Sequence, residues 1–242
     1  MQNIDVRNKF YICGRKIALI LSLFIGTTLI AQTKTKINLV NYDKRKIHYG
    51  FQLGLNYSTF RIKQSEDFVT RDTFQTVRGV ASTGFALGFL FNYRLGEFFD
   101  LRFTPHVGFY ERTVRYVFNE RPVPVDLIFQ SSIIELPLVF KYKSDRRKNT
   151  RLYMVSGIKS SIEVGARRRQ SQSGLFKTNN VDLSLEYGLG LDMYYPLFKF
   201  APELRFSYGL SNLFLLDNSS SLFADPLQRI STYTVALFLY FE

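Results

Sequence analysis

Across residues 181–195 every odd position is apolar: Val181, Leu183, Leu185, Tyr187, Leu189, Leu191, Met193 and Tyr195. The even positions are acidic, hydroxylated or glycine, except Tyr194. A strand turns successive side chains to opposite faces, so this stretch predicts a two-faced strand; on a helix the same apolar residues would be scattered round the axis. Its length exceeds the roughly 9–11 residues that cross a bilayer as a tilted strand. The same period of two recurs over residues 47–58, 84–94, 99–109, 134–143, 151–164, 198–209 and 233–241, with Pro105 and Pro137 as the least comfortable residues. Long polar segments at 61–80, 114–126, 166–180 and 211–228 alternate with short turns at Gly96, at 144–150 and at Pro196-Leu197. That rhythm predicts an all-β fold, an eight-stranded antiparallel up-and-down transmembrane β-barrel with short periplasmic turns and long extracellular loops.

Alternation alone also fits a soluble barrel with its apolar face inward. Two features choose the opposite orientation. Gly50, Gly54, Gly84, Gly88, Gly108, Gly188, Gly190 and Gly209 all share the polar face, and small residues beside large polar ones suit the narrow interior of eight strands. Aromatics gather at strand ends (Tyr57, Tyr93, Phe99, Tyr142, Tyr195, Phe198, Tyr208, Phe241), as in the girdles at the two membrane interfaces. The apolar face is therefore expected to meet outer-membrane lipid.

Composition sharpens this picture at the start of the chain. Arg7, Lys9, Arg15 and Lys16 precede an apolar run over residues 17–30 that is too short to span as a helix, followed by Ala31-Gln32. This is the plan of a secretory signal peptide, residues 1–31. Residues 32–45 read as a periplasmic extension and residues 46–242 as the barrel. Loss of the leader's four bases and one acid lowers the net charge from +12 to +9. Cys13 precedes the apolar run, so the exported chain is expected to have no thiol chemistry. The basic balance carries no nucleic-acid signature.

Charges on the inner face need partners, because an unpaired buried charge costs several kcal/mol. Closing the hairpin at Pro196-Leu197 sets Gly188 opposite Arg205 and puts Arg205 diagonal to Glu186, which predicts an internal Glu186–Arg205 pair. Arg102, Glu135 and Lys141 are expected to extend the network. With Tyr93 set against Phe99, His106 falls opposite Ala86. His48 and His106 are inward-facing without a surrounding motif, and read as members of the polar interior; no catalytic, metal or cofactor residue is assigned. Arg167, Arg168 and Arg169, with Lys177, form a basic loop that is a candidate contact for an acidic partner.

The run Ile133-Ile134-Glu135-Leu136-Pro137-Leu138-Val139-Phe140-Lys141-Tyr142, followed by Leu152-Tyr153-Met154-Val155-Ser156-Gly157, resembles the strand motif of the outer-membrane barrel family common in Bacteroidetes. Asn38-Leu39-Val40-Asn41-Tyr42-Asp43 and His48-Tyr49-Gly50-Phe51 are similar, more narrowly, to the PorT/SprT family. That resemblance implies a non-enzymatic component of the type IX secretion system, linked also to gliding motility, acting through other secretion components in the outer membrane. It supplies no catalytic residues. A general structural or surface-binding barrel and a lipid-modifying enzyme are the alternatives.

Overall fold

The structure is a computed structural model and describes residues 36–65, 74–119, 123–164, 177–215 and 227–242. The expected leader, residues 1–31, and the basic loop carrying Arg167, Arg168 and Arg169 lie outside those residues. Eight passes are present: β1 (Ile47–Gln64), β2 (Phe74–Val80 continuing as Ser82–Arg94), β3 (Phe99–Phe103 continuing as His106–Phe118), β4 (Val125–Lys143), β5 (Thr150–Val164), β6 (Val181–Tyr194), β7 (Lys199–Gly209) and β8 (Leu227–Phe241). Each pairs antiparallel with the next, and β8 returns to β1 with Phe51 opposite Phe241 and Tyr57 opposite Val235, so the sheet is a closed ring.

The ring consists of ten hydrogen-bonded segments where eight unbroken strands were expected. The second pass is divided at Ala81 and the third at Thr104-Pro105. The latter break has a covalent cause. Pro105 and Pro137 each lack an N–H. Their carbonyls still accept, Pro105 O from the Phe89 N–H at 2.9 Å and Pro137 O from the Thr104 N–H at 3.2 Å, which keeps the passes in register across the gap. The β2–β3 register also differs from expectation by two residues: His106 lies opposite Gly88, and Ala86 opposite Gly108. A shift of two preserves every side-chain face, so only the partners change.

The apolar face points outward. On β1, Ile47, Tyr49, Phe51, Leu53, Leu55 and Tyr57 are exposed, while His48, Gln52, Asn56 and Ser58 are buried. The outward apolar run from Ile47 to Tyr57 has about the length of a bilayer-crossing strand. With 18 residues at about 3.3 Å rise and a tilt near 40°, β1 is about 45 Å tall, well beyond the roughly 25 Å apolar band of such barrels. The excess lies on the long-loop side. There β1–β4 and β8 run into segments expected to be loops, and Phe60, Val77, Val114, Tyr116, Phe129, Leu213 and Ile230 pack together inside the mouth. The alternating pattern fades in these segments because neither face meets lipid.

Inward glycines leave room for rings. A Cβ added at Gly190 would fall 2.2 Å from Cζ of Tyr153, and one at Gly54 would fall 2.7 Å from Cε1 of Phe238. These two glycines thus make space for aromatic side chains that fill the lumen from neighbouring strands.

Candidate functional site

The lumen is the chemically distinctive part of the molecule. Among the described residues, six acids (Asp100, Glu135, Asp182, Glu186, Asp192, Glu203) and seven bases (Arg102, Arg112, Lys141, Lys143, Lys159, Lys199, Arg205) are buried in it. Glu242, whose side chain is fully enclosed, makes the acids seven as well. Period two places these groups: they hold the same parity as the inward glycines, and the ring brings strands distant in sequence within reach.

Arg205 Nη1 lies 3.1 Å from Glu186 Oε2, and Glu203 Oε1 accepts from Arg205 Nε at 2.8 Å. Glu203 Oε2 accepts from Arg102 Nη1 at 2.9 Å, and Arg102 Nη2 approaches Glu242 Oε1 at 3.7 Å. Lys199 binds Glu242 at 2.8 Å and reaches Asp192 at 3.8 Å; Asp192 in turn accepts from Lys141 at 2.7 Å. At the other end, Lys159 bridges Glu186 at 3.4 Å and Glu135 at 2.9 Å, and Glu135 contacts His106 Nε2 at 2.7 Å. Glu186, Arg205, Arg102, Glu135 and Lys141 are thereby joined in one unbroken ionic chain from the turn side of the barrel to beneath the apolar mouth. Tyrosines flank it: Lys141 Nζ sits 3.6 Å from the centre of the Tyr153 ring, and the Tyr240 hydroxyl accepts from Arg205 Nη2 at 2.8 Å and donates to Glu203 Oε1 at 3.5 Å.

Sequence reasoning singled out five members and did not connect Asp192, Lys199, Glu203 or Glu242 to them. These share strand parity with Glu186 and Arg205, so alternation carried the signal; the partner choice depends on the ring's curvature. His106 is engaged through both ring nitrogens and His48 through Nε2, the buried His48 Nδ1 having no hydrogen-bond partner. His106 Nδ1 lies 2.8 Å from the Thr104 carbonyl in addition to its Glu135 contact, and His48 Nε2 lies 2.9 Å from the Tyr42 carbonyl. Among the described residues, no group of three His, Cys, Asp or Glu side chains is placed to hold a metal ion.

A second assembly closes the turn-side end. The segment from Asn38 to Arg45 crosses the mouth of the barrel and turns at Leu39, which has a positive φ of 49°. Asn38 N donates to Asn149 Oδ1 at 2.8 Å and its Nδ2 to the Tyr194 carbonyl at 3.0 Å. Tyr42 stacks on His48 with ring centres 4.1 Å apart and donates to Glu242 Oε2 at 2.6 Å. Burial, reinforced by the Glu242 carboxylate, pushes the Tyr42 phenol well above its usual pKa, so it remains a donor. Asp43 accepts a two-pronged pair from Arg151 at 3.0 and 3.2 Å, and its backbone carbonyl accepts from Arg94. Arg146 donates to the Asn38 carbonyl and stacks 3.7 Å over the Tyr194 ring. No periodic signal marks this segment, because its residues are held by the ends of five strands and the β4–β5 loop rather than by a ladder.

Two outcomes are expected. Arg205→Ala leaves Glu186 and Glu203 short of countercharge and should cost about 3–5 kcal/mol, read as a lowered transition temperature for heat-modifiable migration on a gel; an unchanged temperature would count against the chain. Asp43→Asn removes the anion that Arg151 grips, and trypsin should then cut after Lys44 or Arg45 severalfold faster than in the unaltered protein, as followed by mass spectrometry.

Comparison with known proteins gives the family. No curated protein matches the chain. Among solved structures, it is similar to Neisserial surface protein A (11% identity, 81% of this chain and 98% of that one, TM-score 0.38). It is also similar to OprG from Pseudomonas aeruginosa (14% identity, 79% and 92%, TM-score 0.40) and to Ail, the attachment invasion locus protein of Yersinia pestis (13% identity, 81% and 98%, TM-score 0.34). Residues 30–215, well over half the chain, match the family described as the outer membrane protein beta-barrel domain. The closed ring with its lipid-facing apolar band is the form that family takes, and this chain belongs to it as an outer-membrane protein.

Proposed function

We propose that this protein is a closed outer-membrane barrel that works by binding at its two ends, without catalysis and without passing solutes through its lumen. The observation that carries this reading is the ionic chain through the interior. Eight strands leave a space only as wide as their own side chains, and here Arg102, Lys141, Glu203, Arg205 and their partners occupy it with charges of both signs in contact. A solute entering would have to break several buried pairs at once. Catalysis by an imidazole is disfavoured on the same ground, since His48 and His106 are spent on structural contacts. What such a body offers a partner is its surfaces: the extracellular segments, including Arg167, Arg168 and Arg169, and the basic turn-side end.

A second reading is that the partners belong to the type IX secretion system. It is supported by the resemblance at Asn38-Leu39-Val40-Asn41-Tyr42-Asp43 and at His48-Tyr49-Gly50-Phe51, because Asn38, Tyr42, Asp43 and His48 are the side chains that hold the closing segment. In that setting the segment would present a fixed periplasmic face to other secretion components.

Full-length protein reconstituted in planar bilayers is expected to leave the membrane insulating; stable single-channel openings would overturn the closed reading. A deletion strain separates the two kinds of partner. Failure to export proteins with the C-terminal secretion signal supports the second reading, and intact export with loss of surface attachment returns the function to the extracellular segments.

A further inference from the structure

The lipid-facing wall is indented where β4–β7 meet. Four strands set a row of outward residues in direct register: Phe140 on β4 opposite Ser156 on β5, Ser156 opposite Tyr187 on β6, and Tyr187 opposite Phe206 on β7. Three of the four are large rings and one is a serine. Tyr187 and Phe206 stack with centres 5.4 Å apart and form one bank. Phe140, with the Phe99–Tyr142 pair at 5.2 Å, forms the other. Between them lies a groove of about 560 Å³ with Ser156 in its floor.

The groove is aligned with a charged feature. Both Phe140 and Ser156 belong to the β4–β5 hairpin, whose loop at the turn-side end carries Arg146, Arg147 and Lys148 against the single acid Asp145. Arg146 is turned inward to the Asn38 carbonyl, whereas Arg147 and Lys148 are exposed. Lys148 takes a positive φ of 57° in the two-residue loop closed by the Arg147–Thr150 pair, so the hairpin geometry fixes where these bases stand. From Thr150 to Ser156 the strand runs about 20 Å, or about 15 Å of depth at the usual tilt. That is half the roughly 30 Å hydrocarbon core, the reach of one acyl chain from its own phosphate.

We propose that this groove and the loop beneath it are a binding site for one anionic phospholipid of the periplasmic leaflet, with an acyl chain over Ser156 and the phosphate at Arg147 and Lys148. Neither half suffices alone. An apolar groove in hydrocarbon does not select among lipids, and two bases at a headgroup plane attract anionic lipids without holding one in place. The register of the hairpin joins them.

The test is native mass spectrometry of the full mature chain released from detergent with equal amounts of phosphatidylglycerol and phosphatidylcholine. One phosphatidylglycerol should be retained in preference to phosphatidylcholine by about tenfold. Ser156→Phe fills the floor and should abolish retention of both lipids. The Arg147→Glu, Lys148→Glu double variant should keep a bound lipid and lose the preference. Both variants alter the outer surface or a loop, and heat-modifiable migration confirms that each has folded. Equal retention of the two lipids by the unaltered protein, or unchanged retention in Ser156→Phe, overturns the proposal. So does a protein dimer that Ser156→Phe dissolves, which would assign the groove to a second copy of the chain.

Discussion

Where β8 returns to β1, with Phe51 against Phe241 and Tyr57 against Val235, the sheet loses its edges. In hydrocarbon each unpaired N–H or C=O costs several kcal/mol, so a spanning sheet is possible only as a closed one. Closure in turn divides the strand into a face that meets lipid and a face that meets itself. Leu53 and Leu55 go outward and Gln52 and Asn56 inward for that reason, inverting the usual order of a soluble protein. The two prolines on neighbouring passes are tolerated because their carbonyls still bridge to Phe89 and Thr104.

A narrow closed interior lined by polar side chains has to solvate itself. Seven acids and seven bases do so among the described residues: opposite charges meet at 2.7 Å in Lys141–Asp192 and 3.4 Å in Lys159–Glu186, while Arg112 rests on Ser58 and the Tyr110 ring and Asp182 on Thr232. Buried pairs of this kind contribute little net stability compared with well-packed apolar groups. Some links join neighbouring strands, as Lys159–Glu186 does, and others reach across the lumen, as Lys141–Asp192 and Arg102–Glu203 do, so the charged groups tie together strands that the ladder leaves apart.

Much of this was legible in the linear order of residues. Strict alternation over 181–195 located β6, the position of the glycines gave the inward face, and the short Pro196-Leu197 turn set the β6–β7 register closely enough to place Arg205 beside Glu186. Three things were not legible. Where strands rise above the lipid, as at Arg61–Gln64 and Val114–Phe118, alternation lapses, and strand read as loop. At the β2–β3 turn several loop lengths satisfy the same faces, so His106 was set two residues from its true partner. The closing segment with Tyr42 and Asp43 has no period at all; its contacts come from β1, β2, β5, β6, β8 and the β4–β5 loop, a set that exists only after the ring forms.

The distribution of lumenal charge along the chain bears on how the molecule reaches its membrane. Grouped by consecutive hairpins, the buried groups of β4–β5 (Glu135, Lys141, Lys143, Lys159) are cationic in excess, and those of β6–β7 (Asp182, Glu186, Asp192, Lys199, Glu203, Arg205) are anionic in excess. Either hairpin threaded into hydrocarbon by itself would strand uncompensated charge there. Together they neutralise one another, and Glu242 at the end of β8 completes the tally through Lys199 and Arg102. Insertion of either hairpin alone is thus penalised, whereas β4–β7 together carry no net lumenal charge, so the charge pattern favours their entering the bilayer already joined.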